Sequence, residues 1–166
     1  MWTILAKLLA HPRVSAWLIA RAKRTPYFHM PGYMDRFWLV PYRDKRLGLG
    51  CGPVSFWRRP FAWLLQRLDV AVRIHHIKRA DTARHPHDHP WDARTIILKK
   101  WYVEKRLGQF STLRRAGSTA PLNFGEYHHI ESICPGGAWT LFITFKYRGT
   151  WGFLVDGRKV KHADYK

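Results

Sequence analysis

The sequence predicts an all-β protein: an antiparallel β-barrel over residues 61–166, with the first 60 residues laid outside it as short helices and an added strand. Three observations carry this. Short alternating or β-branched segments recur at roughly ten-residue spacing after Asp69. Gly, Pro and Asp punctuate them, as in Pro135-Gly136-Gly137, Arg148-Gly149 and Asp156-Gly157. Helix-period patterning is confined to the beginning of the chain. With 166 residues and 46% of them hydrophobic, the chain can bury one sizeable core.

The elements follow in order. Ile4, Leu5, Leu8 and Leu9 repeat at helical spacing until Pro12 breaks the pattern. Val14, Trp17, Leu18 and Arg21 predict a second short helix ending near Thr25-Pro26. Tyr33 to Val40 reads as a strand, residues 43–60 as loop, and Phe61–Leu68 as one or two helical turns. From Asp69 the period changes to two: Val70, Val72, Ile74 and His76 alternate with Ala71, Arg73, His75 and Ile77. Thr95–Glu104, a segment within Leu122–Ile133, Trp139–Tyr147 and Trp151–Val155 are the further strands expected.

The charge balance is extreme, with 29 Lys+Arg against 11 Asp+Glu and a net charge of +18. Residues 1–60 hold 11 of the basic residues and 2 of the acids. Such a layer suits polyanions or anionic surfaces, and nucleic acid is the partner expected for it alongside a small-molecule substrate of the barrel. The apolar stretch Trp2–Ala10 is cut by Lys7 and closed by His11-Pro12-Arg13, too short to span a bilayer. Two cysteines, Cys51 and Cys134, are too few for a disulfide framework, so a reducing cytoplasm is expected. Gly48-x-Gly50-x-Gly52 lacks phosphate-loop spacing, and no Gly-x-Ser-x-Gly elbow occurs.

Of ten histidines, five lie between residues 75 and 89: His75, His76, His85, His87 and His89. In an extended chain residues i and i+2 share a face, so His87-Asp88-His89 can offer two imidazoles to one metal. A third ligand must come from another strand. His128 and His129 begin one, and because they are adjacent only one of them faces inward. Trp91 and Trp139 lie near these positions in sequence and are candidate pocket walls. Aromatic–basic runs such as Phe56-Trp57-Arg58-Arg59 and Lys100-Trp101-Tyr102 suit base stacking, without a recognised nucleic-acid signature.

His87-Asp88-His89, then Ile96-Ile97-Leu98-Lys99 leading to Glu104, then His128-His129-Ile130-Glu131, resemble the cupin superfamily, and within it the thiol dioxygenases of the cysteine dioxygenase type. His-Asp-His-Pro-Trp followed by Trp-Thr-Leu and Trp-Gly-Phe strands is also similar to small cupin-like proteins of bacteriophage genomes. The resemblance covers roughly residues 69–155. It implies a double-stranded β-helix, with His87, His89 and His128 as metal ligands and Fe(II) as the metal; zinc, manganese and nickel are the alternatives. Many cupins add a Glu after the histidine pair, and here Asp92 is the nearest carboxylate, so it is a candidate further ligand. Asp88 and Asp92 are candidate partners for the second ring nitrogens. The Gly that usually breaks the strand after the pair is Lys100 here, and the arginine that holds a substrate carboxylate has no aligned match; Arg58, Arg59, Arg67 and Arg73 are available. Three neutral imidazoles leave the metal charge uncompensated, which favours an anionic substrate with Arg73 or Arg94 to orient it.

The reading is therefore a metal-dependent, dioxygenase-like cupin, in a host cytoplasm if the chain is phage-encoded. Sugar-nucleotide isomerase or epimerase chemistry, with a His or Tyr acid/base pair instead of a metal, is the runner-up on the same barrel. The competing class is a non-enzymatic basic accessory module that binds nucleic acid or a host protein and keeps the histidines as a structural or vestigial site.

Overall fold

The computed structural model describes residues 1–40, 43–44, 49–50 and 56–165. Two helices open the chain, α1 (Trp2–Leu9) and α2 (Pro12–Ala22). Both form where the periodicity places them, but on a different face. α1 buries Ala6 and half-buries Trp2 and Leu9, while Ile4, Leu5 and Leu8 are exposed. α2 starts with Pro12 in its first turn, where no N–H is needed, and buries Ser15, Leu18 and Ala22. Small residues at the contact let both helices lie close on the sheet.

The strand β1 (Met34–Trp38) follows, then the short segments β2 (Arg43–Asp44) and β3 (Leu49–Gly50), which pair with each other. Where residues 43–60 read as loop, the chain thus holds a two-residue ladder, a 3-10 turn at Phe56–Arg58 and the start of α3 (Arg59–Arg67). α3 crosses residue 60. Gly48, Cys51, Gly52 and Pro53 lie outside the described residues.

The remaining strands are β4 (Ala71–Ile77), β5 (Trp91–Lys99), β6 (Trp101–Arg106), β7 (Thr112–Arg115), β8 (Thr119–Leu122), β9 (His128–Ile133), β10 (Ala138–Tyr147), β11 (Gly152–Val155) and β12 (Arg158–Lys161). One sheet has the order β1-β4-β10-β5-β8, antiparallel throughout. A second has the order β7-β6-β9, and β11 pairs with β12. His87 bridges the last two groups, pairing with His128 on one side and Phe153 on the other.

One expected strand is divided in two. Thr95–Glu104 splits because Lys100 takes φ 67°, turning the chain from the first sheet (β5) into the second (β6). There a barrel corner interrupts a run that is apolar enough to read as continuous. The strand expected within Leu122–Ile133 is β9, and the Gly125 turn, at φ 82°, leads into it from β8. β7 and β12, charged and short, carry little period-2 signal.

The first sheet has two apolar faces. Its outer face packs Ile74, Ile96, Leu98 and Leu141 against Leu18 and Ala22 of the helices. Its inner face meets the second sheet through Ile77, Ile97 and Ala138 against Tyr102 and Ile130. Gly137 closes the tight approach there: at φ 77°, a Cβ would lie 2.2 Å from the Ile77 carbonyl oxygen. This apolar plug fills one end of the barrel. The other end carries the polar groups described next.

Candidate metal centre

Backbone pairing builds the site before any side chain is considered. The His87 N–H donates to the His128 carbonyl at 3.0 Å, and the His128 N–H donates back to His87 at 2.9 Å. Two residues paired in this way carry their side chains on one face. His89, two residues along, joins them. One ring nitrogen from each of His87, His89 and His128 lies within 4.8 Å of the others, and the ring centroids are 4.9–5.2 Å apart. His129 leaves the cluster and lies 3.8 Å from Glu131.

The His87–His89 segment is anchored from behind. Asp88 is fully buried and points away from the imidazoles, accepting hydrogen bonds from the Gly152 N–H at 2.8 Å and Lys159 Nζ at 2.5 Å. Gly152 is required at this crowded point, since a Cβ would sit 2.0 Å from the Val160 carbonyl oxygen.

The carboxylate that orients an imidazole is Glu104, on β6. Its Oε1 lies 3.0 Å from His128 Nδ1, and its Oε2 accepts from Arg106 Nε at 3.2 Å and Arg114 Nε at 2.9 Å. Burial would raise this carboxyl; the His128 hydrogen bond and the two guanidinium charges outweigh it and hold it at about 2. A carboxylate can only accept, so Nδ1 of His128 carries the proton and Nε2 presents its lone pair. That Nε2 lies 3.0 Å from His89 Nε2. Burial, and then the neighbouring imidazoles, push His87 and His89 below the usual histidine range and favour their neutral, ligating form. Three imidazole nitrogens within 4.8 Å of one another, with a carboxylate behind one of the rings, fit the donor set of a divalent metal.

Phe142 flanks the cluster 5.8 Å from His89, and Trp151 and Phe153 lie about 6 Å from His87. Opposite Phe142 in the register stands Arg73, 4% exposed, whose Nε has no hydrogen-bond partner. Its guanidinium lies over Trp38 and Trp91, at 4.9 and 5.0 Å. His75 shares this inner face and contacts Tyr27 Oη at 3.3 Å. Burial, reinforced by Arg73 and Arg36, pushes its pKa well down.

Several expected site residues prove to be elsewhere. Asp92 is not near the imidazoles; it binds the Phe124 N–H at 3.1 Å and Arg148 Nε at 2.9 Å. Asp88 is committed to Gly152 and Lys159, because neighbours in an extended segment point to opposite sides. Trp139 lies on the outer face, stacked on His76 at 4.2 Å and packed with the helix-side core. Arg94 is also on that face, 4.6 Å above the Trp2 ring. Arg59 and Arg67 are exposed on α3. Trp91 and Arg73 do face the interior. The sequence reading gave no role to Glu104, Arg106 and Arg114. Their signal was present in the alternation Tyr102, Glu104, Arg106, which puts two charges on an inward face of β6.

The sequence matches no protein-family model and no curated protein. Solved structures do resemble the chain. A cupin-like protein from Thermotoga maritima aligns at TM-score 0.50 and 12% identity, covering 84% of this chain and 85% of that one. KdgF from Halomonas sp. aligns at TM-score 0.48 and 6% identity, covering 75% and 91%. Oxalate oxidase in complex with glycolate aligns at TM-score 0.42 and 19% identity, covering 54% of this chain and 48% of that one, so the chain spans about half its length. At these identities the likeness concerns the fold alone: the Thermotoga maritima protein, with the two facing antiparallel sheets of this chain, shows a cupin-type β-barrel.

Proposed function

We propose that this chain is a metal-dependent cupin enzyme in which His87, His89 and His128 hold one divalent cation, and that it acts on a small anionic substrate as a dioxygenase-like oxidoreductase. The observation that carries the proposal is the convergence of His89 Nε2 and His128 Nε2 with Glu104 behind His128. Three imidazoles on one side leave the remaining positions of a cation open. Ferrous iron is the preferred metal because the motif resembles the thiol dioxygenases, and when bound it would supply O₂ activation. A dioxygenase places both oxygen atoms in its product and needs no external reductant.

The chain's own residues have assignable parts. Glu104 keeps the proton on His128 Nδ1, so that ring cannot rotate away. Arg73 receives the substrate anion: its buried Nε lacks a partner, and an unpaired buried donor is costly unless something else satisfies it. Phe142, Trp151 and Phe153 keep water from the imidazoles.

Protein purified without a histidine tag tests this reading. Elemental analysis should find about one iron per chain, and O₂ uptake should follow addition of a thiol carboxylate such as cysteine. The variant carrying His87→Ala and His89→Ala should keep its circular dichroism spectrum and lose the metal. Stoichiometric metal in that variant, or none in the parent, overturns the proposal. The competing reading, a non-enzymatic basic module with a structural site, draws on the net charge of +18. Bound metal without any O₂ chemistry would favour it.

A further inference from the structure

We propose that α1 and α2 form a docking surface for an anionic lipid bilayer, lying in its interface with their apolar side chains inserted. Of the apolar repeat of the first helices only Leu9 and Leu18 pack on the core. Ile4 is 67% exposed, Leu8 62% and Trp17 64%, with Leu5 and Val14 beside them. Ile4, Leu8 and Val14 line a single groove between the two helices with Lys7 and His11, and Trp17 follows Val14 by three residues on α2, the spacing of neighbours on one helix face. Both helices already bury another face against the sheet, through Ala6, Leu18 and Ala22. The exposed face is therefore left over after folding and is available to an outside partner.

Charge decides which partner. Residues 1–34 contain five Lys/Arg (Lys7, Arg13, Arg21, Lys23 and Arg24) and no Asp or Glu. Of these, Lys7 lines the groove and Arg13 is exposed near it, while Lys23 lies over Trp139 on the sheet side. A second copy of the chain would set Lys7 and Arg13 against their own like, with no acid in either copy's segment to pair with. A nucleic acid would answer the charge but leaves Ile4, Leu8 and Val14 unsatisfied, since aliphatic side chains neither stack on bases nor bind phosphate. An anionic bilayer answers both: phosphate and carboxylate headgroups meet Lys7 and Arg13, and the acyl boundary takes Ile4, Leu8 and Trp17. No described helix is long and apolar enough to cross a membrane, which agrees with a contact in the interface plane.

The test uses the full chain and vesicles of phosphatidylcholine alone or with phosphatidylserine at about 30%, a composition chosen for its negative surface potential. The parent should sediment with the serine-containing vesicles and at least tenfold less with neutral ones. Replacing Ile4→Ser and Leu8→Ser leaves the net charge unchanged and alters only exposed positions, so the melting temperature should hold while vesicle binding falls at least tenfold. Trp17→Ser, on the other helix, should weaken binding in the same direction. Undiminished binding by both variants would mean charge alone holds the protein and overturns the proposal. So would no vesicle binding by the parent, oligonucleotide binding that the serine variants weaken, or a parent dimer that they dissociate.

Discussion

His128 and Glu104 share a contact that decides which nitrogen of the imidazole faces the barrel: Nδ1 lies 3.0 Å from Oε1, and Nε2 is left to meet His89. The same carboxylate ties Arg106 and Arg114 to the second sheet. One buried charge therefore positions the His128 imidazole and holds the sheet around it. Glu104→Gln weakens both roles, since a neutral amide oxygen is a poorer acceptor for Nδ1–H than a carboxylate and no longer balances two guanidiniums. Metal affinity should fall about 10–100-fold by competition with a chromophoric chelator. Stability should fall by about 3 kcal/mol in urea unfolding, because Arg114 loses its buried counter-charge while Arg106 keeps Glu126 at 3.5 Å. Unchanged affinity would deny Glu104 its part in the site.

Arg73 offers a contrast, a buried guanidinium whose Nε has no partner in the fold. If its partner is a substrate anion, Arg73→Met should cost less than about 1 kcal/mol, because the methionine fills the space between Trp38 and Trp91 and removes an unsatisfied donor. A loss of several kcal/mol would make Arg73 a structural residue and remove the reason for assigning it the substrate.

Lys100 stands at the corner between β5 and β6 with φ 67°, and its Nζ reaches the Pro135 carbonyl oxygen at 2.6 Å. Lys100→Gly and Lys100→Ala both lose that hydrogen bond, so their difference isolates the backbone. The glycine variant should be the more stable by about 1 kcal/mol, since a Cβ is penalised in the left-handed region. Equal melting temperatures would show that the corner opens when Lys100 is replaced.

Asp92 has a different use from the one its sequence position suggests. The Phe124 N–H and then Arg148 hold its carboxyl below the usual range. A carboxyl lowered in the folded state stabilises above its ordinary value of 3.8, and that contribution is lost as pH falls through the lowered value. Arg148→Ala should move the carboxyl resonance of Asp92 part of the way back in an NMR titration, because the Phe124 hydrogen bond remains. No movement would show that the ion pair does not act on this group in solution.

The chain's local chemistry settled much of this architecture in advance. Period-2 alternation announced β4, Pro12 marked where the first helical pattern breaks, and His87-Asp88-His89 fixed two imidazoles on one face, because each depends only on neighbours a few residues away. Three things were decided by tertiary structure. Lys100 and the Gly125 turn became corners because the barrel has to close there. Trp139 and Arg94 went to the helix side and Arg73 to the interior, because strand register and the packing of α1 and α2 determine which face of the first sheet meets the cavity. Glu104 came to hold His128 because β6 pairs with β9, a contact spanning 24 residues of sequence that no local pattern encodes. Alternation assigns side chains to two opposite faces; only the folded barrel determines which of the two is the inside.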